Sequence, residues 1–138
     1  MASESKKDPL HLVAEFMKAM NQPVSQGWND RQGILLGMAL ILEETKELQE
    51  EVAAIVAGDY DHKENFVKEL ADLEYVVNWL ACKVGIDLPA ATAAVHKSNM
   101  SKLGEDGKPI YREDGKVMKG PNYKKPEMFP FVTPVTIG

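Results

Sequence analysis

From Asp8 to Leu103 apolar residues recur three and four apart, broken by short polar stretches, which is the pattern of consecutive amphipathic helices. Asp8-Pro9 reads as an N-cap followed by proline at the first helical position. The helix it opens runs to about Met20, with Leu12, Val13, Phe16 and Met17 on its apolar face. Asn21-Gln22-Pro23 ends it, and QPVSQGWND is a loop. Asp30 caps a second helix that continues to Val56 or Ala57, where Gly58 stops it. Its expected core stripe is Ile34, Leu35, Met38, Ile41, Leu42, Leu48, Val52 and Ile55. A third helix opens at Asp59 or Asp61 and ends at Val84-Gly85, burying Leu70, Leu73, Val76, Val77 and Leu80. Asp87 caps a fourth, which begins near Pro89 and ends near Leu103-Gly104.

The character changes at Gly104. Gly, Pro and Lys accumulate, and Glu-Asp-Gly-Lys occurs at 105–108 and again at 113–116. The second copy lies between the short stretches KPIYR and KVMK, so Asp114-Gly115 predicts a two-residue hairpin turn. The last residues, KKPEMFPFVTPVTIG, hold three prolines and predict an extended segment. The pattern therefore predicts an all-α fold of four helices over 1–103. A C-terminal extension over 104–138, basic and irregular with one hairpin, is expected to pack on that domain or on a neighbouring subunit.

Composition adds limits. A chain of 138 residues, 44% hydrophobic and 27% charged, suits one ordinary globular domain with a modest core. A formal net charge of −5 has the wrong sign for a general binder of nucleic acid polymers. The charge is also segregated: acidic residues crowd 43–74, and half of the lysines, seven of fourteen, fall in 96–125. The lone Cys82 excludes an intramolecular disulfide and any multi-cysteine metal site, and the apolar run VVNWLACKV marks it as a buried inert thiol. No stretch has transmembrane length, and MASESKKDPL lacks an apolar leader core, so no membrane association and a cytoplasmic location are expected.

The candidate chemistry lies in two acidic pairs inside apolar helical sequence. Glu44 and Glu47 occur in LILEETKELQEEV, and Glu69 and Asp72 in FVKELADLEYVV. Spacing of i,i+3 puts both carboxylates of a pair on one helix face about one turn apart. Four negative charges at the edge of a core repel and lose hydration unless a cation neutralises them. A hard divalent ion, Mg²⁺ or Mn²⁺, suits an all-oxygen donor set. The competing reading is a solvated helix face, with Lys46–Glu50 and Glu64–Lys68 as ordinary i,i+4 pairs, Lys68 also neutralising Asp72, and Glu50 and Glu51 as surface charges. Helix dipoles do not account for Glu43, Glu44 and Glu47, which sit mid-helix, or for Glu69 and Asp72, more than a turn past their helix start. Both readings stand on pattern alone.

E-x-x-E at 44–47 followed by E-x-x-D at 69–72, on consecutive helices joined by a glycine-containing turn, resembles the all-α NTP pyrophosphatase superfamily. That group includes MazG-type proteins, phosphoribosyl-ATP pyrophosphohydrolases and dimeric dUTPases and dCTPases. Glu43, completing EETKEL, resembles the first motif of the family. VHKSNMSKL at 95–103 with DGKPIYREDGKVMKG after it is similar to a single-domain MazG-like branch, including phage MazZ-like members. The extended basic tail departs from the histidine-pathway enzyme, and the single copy of the domain departs from full-length MazG.

The resemblance implies hydrolysis of a nucleoside triphosphate to the monophosphate and pyrophosphate, in the service of the dNTP pool. A purine nucleotide such as dGTP is the favoured substrate. It implies Glu44, Glu47, Glu69 and Asp72 as metal ligands for two or more Mg²⁺ or Mn²⁺ ions, with Glu47 also counted as catalytic. Glu43 would be an extra ligand or the group that orients the attacking water. Asn99 and Lys102, i,i+3 on the fourth helix, would grip phosphate. Lys97 and Lys116 are looser candidates from the same basic segment, and Trp28 is a candidate for the pocket wall. Trp79 reads as core, and His96 as structural or surface. Two helices alone cannot bury both of their faces, so a homodimer or homotetramer is expected. The rival from another class is a non-enzymatic helical binding or scaffold protein with an acidic face.

Overall fold

The computed structural model describes residues 7–138; the first six residues of the polar N-terminal stretch, where no leader core is expected, lie outside the described residues. The chain is all-α. Four helices form among the described residues: α1 (Pro9–Ala19), α2 (Arg31–Val56), α3 (Lys63–Val84) and α4 (Leu88–Met100). Short 3₁₀ turns occur at Tyr60–His62 and Phe129–Phe131. No helix is long and apolar enough to cross a membrane among the described residues. The chain divides into two compact units, one comprising residues up to Asp87 together with Pro134–Gly138, the other Leu88–Thr133.

The caps expected of Asp8 and Asp30 form, whereas neither Asp59 nor Asp61 opens α3: the 3₁₀ turn Tyr60–His62 intervenes, and the helix starts at Lys63 after His62 with no side-chain cap. Asp8 accepts from the His11 amide at 2.9 Å with Pro9 at the start of α1, and Asp30 accepts from the Gly33 amide at 3.1 Å. Gly85 closes α3 at φ +100°, a left-handed conformation that side chains with a Cβ rarely adopt. The final carbonyls of α3 are satisfied from outside the helix. Amides of Ser25, Gln26 and Gly27 donate to the carbonyls of Cys82, Lys83 and Val84 at 2.7–2.9 Å. The C-terminal segment joins the same end, with the Val135 amide on the Gly85 carbonyl and the Ile137 amide on Ser25 Oγ.

α2 and α3 form an antiparallel hairpin, and α1 packs against α3. Close approach of α2 to α3 depends on Gly37, where a Cβ would lie 2.7 Å from Leu80 Cδ1 and 3.1 Å from Leu80 Cβ. The closed core joins α1 to the C-terminal half of α3: Leu10, Val13, Ala14 and Met17 with Trp79, Cys82 and Val84 are buried, as is Ile137 of the C-terminal segment. Trp79 is buried and donates through Nε1 to Gln22 Oε1 at 3.1 Å, as a core tryptophan does. Cys82 is buried with its thiol on the Leu10 carbonyl, and burial pushes its pKa up to about 11, so it is inert.

Several core expectations need correction. Leu12 and Phe16 of α1 are exposed, while Leu10 and Ala14 are buried in their place. On α2, Ile34, Ile41, Leu48 and Ile55 are partly buried against the rest of the unit. Leu35, Met38, Leu42 and Val52 of the same stripe are exposed, as are Leu70 and Val77 of α3. The apolar stripe is wider than one hairpin can cover, because a helix packed on one neighbour buries only the arc facing it.

The second unit is α4 with the irregular segment after it. The helix stops at Met100 and continues as turns, short of the expected Leu103. The hairpin is present as one antiparallel bridge, Tyr111–Val117, flanked by Met118 N–H to Ile110 O at 2.7 Å. Its turn is a three-residue loop, Glu113-Asp114-Gly115, closed by Arg112 N–H to Lys116 O, rather than the expected two-residue turn. Gly115 at φ +87° takes the left-handed position such loops require.

A candidate metal centre on the α2–α3 hairpin

The pitch of the two helices delivers the acidic pairs to one place. Glu44 and Glu47 are a turn apart on α2, and Glu69 projects from the facing turn of α3. One carboxylate oxygen from each of these three residues lies within 4.8 Å of the other two. All three side chains are half-buried. Glu44 Oε2 and Glu69 Oε2 are buried and accept no hydrogen bond from any described residue.

Such oxygens are costly, because a buried acceptor without a donor keeps its full desolvation penalty. The electrostatics show the strain. Burial, followed by the negative charge of Glu47, pushes the Glu44 carboxyl up to about 7 from its ordinary 4.5. Hydrogen bonding with Glu47 and Glu69 and the charge of Asp72 act in the same direction. The Glu47 carboxyl is also raised, chiefly by hydrogen bonding with Glu69. An oxygen-only set with two orphaned buried acceptors fits a hard divalent cation, which would neutralise the charge and fill the vacant acceptors together.

Asp72 stands differently from the three glutamates. Its Oδ2 is held by Lys68 Nζ at 2.7 Å, and the same amine lies 3.3 Å from Glu69 Oε1. Lys68 therefore turns along α3 toward the acidic pair rather than back to Glu64, as the i,i+4 rule allows in either direction. Glu43 is exposed on α2 outside the three-carboxylate cluster, and its charge contributes to raising Glu47. Trp28 is half exposed in the loop before α2.

The remaining candidates belong to the second unit. Asn99 and Lys97 are exposed on α4, Lys102 is half-buried just beyond it, and Lys116 is exposed in the hairpin. The Lys102 carbonyl accepts from the Gly120 amide at 2.9 Å, which ties the tail to the end of α4. Lys97 lines a cavity of about 370 Å³ with Lys124, Lys125, Ser98 and Ser101 among its walls. Ser98 Oγ donates to the Lys124 carbonyl at 2.7 Å, and the Lys124 amide donates to Ser101 Oγ at 3.0 Å. Lys124 and Lys125 were not singled out by spacing, because they lie in a segment with no periodicity.

Glu51 departs from its expected place as a surface charge. Its side chain is only 14% exposed, and both of its oxygens lie within 3.1 Å of His62 Nδ1. That contact clasps the end of α2 to the turn before α3 and holds the His62 pKa above its ordinary value. His96 is exposed, in keeping with a surface residue.

A search of curated proteins finds no match to this chain. Among family models, that of phosphoribosyl-ATP pyrophosphohydrolase matches residues 13–99. The matched stretch spans all of α2 and α3, and with them both acidic pairs. An all-α architecture with a carboxylate cluster on its central hairpin agrees with that match, and the chain belongs to the phosphoribosyl-ATP pyrophosphohydrolase family, within the all-α NTP pyrophosphatase superfamily.

Proposed function

We propose that this pyrophosphohydrolase-family chain cleaves a nucleoside triphosphate between its α and β phosphates in a reaction that depends on Mg²⁺ or Mn²⁺. Water supplies a hydroxyl to one side of the broken P–O bond and a proton to the other, leaving the monophosphate and pyrophosphate. The observation that carries the reading is the pair of orphaned buried oxygens, Glu44 Oε2 and Glu69 Oε2, within a three-carboxylate cluster. Glu44, Glu47 and Glu69 would hold two or more divalent ions, with Asp72 completing the set. Such ions supply charge neutralisation for the phosphates and the departing pyrophosphate, and they acidify water.

The rest is positioning, which dominates phosphoryl transfer. Glu43, exposed beside the cluster, orients the attacking water. Asn99 and Lys102 bind phosphate oxygens, with Lys97 and Lys116 as further candidates, and Trp28 forms part of the wall around the base. A purine deoxynucleotide such as dGTP is the proposed substrate, and dNTP-pool control the proposed role.

The exposed apolar arc of the hairpin supports a homodimer or homotetramer. Leu35 is 69% exposed, Leu42 60%, Val67 66% and Leu70 52%, all on α2 and α3. Leu42→Lys should lower the molecular mass read by light scattering, and an unchanged mass would remove this arc from the interface.

Pyrophosphate release from a panel of ribo- and deoxynucleoside triphosphates, with Mg²⁺, with Mn²⁺ and with EDTA, tests the function. Metal-dependent release confined to one or a few nucleotides is the expected result. Silence across the panel would favour the binding-protein reading.

A further inference from the structure

The three glutamates gather within 4.8 Å, yet Asp72, one turn from Glu69 on the same helix face, is engaged elsewhere. Its partner is the Lys68 amine, which also takes Glu69 Oε1 and leaves Glu69 Oε2 buried and unpaired toward the cluster. The Lys68 side chain is 65% exposed, so its charge is free to leave without disturbing any packed group. One residue thus contacts two members of the acidic set from its open side, as a tethered cation.

We infer that Lys68 is a resident counter-cation of the acidic centre, and that Asp72 joins the other carboxylates around a divalent ion only by releasing the Lys68 amine. This rests on the metal reading proposed above. In the metal-free protein, Lys68 neutralises the outer edge of the cluster through Asp72 and Glu69. Occupation of the centre by a divalent ion with all four carboxylates requires the amine to leave. Lys68 therefore weakens divalent-ion binding, sets the free concentration at which the site fills, and becomes an unpaired ammonium beside the centre once it has filled.

Mn²⁺ alone is the probe, with binding read by its electron paramagnetic resonance signal or by calorimetry on the full chain without nucleotide. Lys68→Met should bind Mn²⁺ about three- to tenfold more tightly than the unmodified chain at low salt, with the gap narrowing as salt is added. Lys68→Arg, which keeps the charge, should stay near the unmodified affinity. Lys63→Met removes a charge from the same helix more than a turn away, over the Tyr60 ring, and should also change little. Equal affinities for Lys68→Met and the unmodified chain would overturn the inference, as would an equal gain in Lys63→Met, which would reveal only a diffuse field. Glu47→Gln separates the two levels of argument. If it abolishes Mn²⁺ binding while Lys68→Met has no effect, the centre stands and the counter-cation falls. If neither the unmodified chain nor any variant binds Mn²⁺, both fall together.

Discussion

Glu44→Gln should stabilise the metal-free protein at alkaline pH although it damages the site. The Glu44 carboxyl is pushed to about 7 by burial and by Glu47, from an ordinary 4.5. An acid whose pKa is higher in the folded state favours folding while it is protonated. Its contribution is intact below about pH 4.5 and is lost as the pH rises through about 7. The full displacement corresponds to an upper bound of about 3 kcal/mol, and the interaction with Glu47 and partial solvent access reduce the expectation to about 1–2 kcal/mol. Glutamine keeps the shape and removes the titration. Urea unfolding in EDTA at pH 5 and pH 8 provides the assay. Stability of the unmodified chain should fall relative to Glu44→Gln across that interval, and Mg²⁺ should restore it in the unmodified chain far more than in the variant. A pH-independent difference between the two proteins, or a variant that is the less stable at pH 8, would refute the argument that Glu44 carries repulsion into the fold.

Glu47→Gln should abolish pyrophosphate release while circular dichroism keeps its helix signal, and undiminished turnover would remove Glu47 from the metal set. Lys102→Ala should raise KM for the nucleotide more than it lowers kcat; an unchanged KM would exclude a phosphate contact. Gly37→Val should lower unfolding free energy by about 1–3 kcal/mol, because the new side chain meets Leu80 across the helix pair; equal stability would show that Leu80 moves aside freely. His62→Gln should destabilise the chain below pH 6.5, where protonated His62 clasps Glu51, and matter less as pH rises through the raised His62 value. A loss that is equal at pH 5.5 and pH 9 would assign the clasp to uncharged hydrogen bonding.

Helix ends were legible wherever a local signal decides them. Asp8 with Pro9, Asp30 and Gly85 act through groups within three or four residues, and each does in the structure what its sequence context predicts. The acidic pairs were legible for the same reason, since i,i+3 spacing is a property of one helix. The Lys68–Asp72 contact is likewise local and could be read at i,i+4. What failed was the attribution of burial around each helix. Leu35, Met38, Leu42 and Val52 have the spacing of a core face, but which arc of α2 is covered depends on where α3 lies. Glu51 has the spacing of a surface charge, yet His62 reaches it across the turn between helices.

Local patterns suffice for an all-α chain, for the limits of its helices to within a few residues, and for two carboxylate pairs each confined to one face. Periodicity and capping are encoded within a few turns, and chain connectivity orders them. The convergence of Glu44, Glu47 and Glu69 within 4.8 Å is absent from any one helix and comes from the packing of α2 on α3. The same packing leaves two buried oxygens without donors and pushes the Glu44 carboxyl up to about 7. Those properties arise between helices. Distance and dielectric at a carboxylate are set by the register in which α2 and α3 pack, and Gly37 against Leu80 sets that approach through contacts that no single-helix pattern contains.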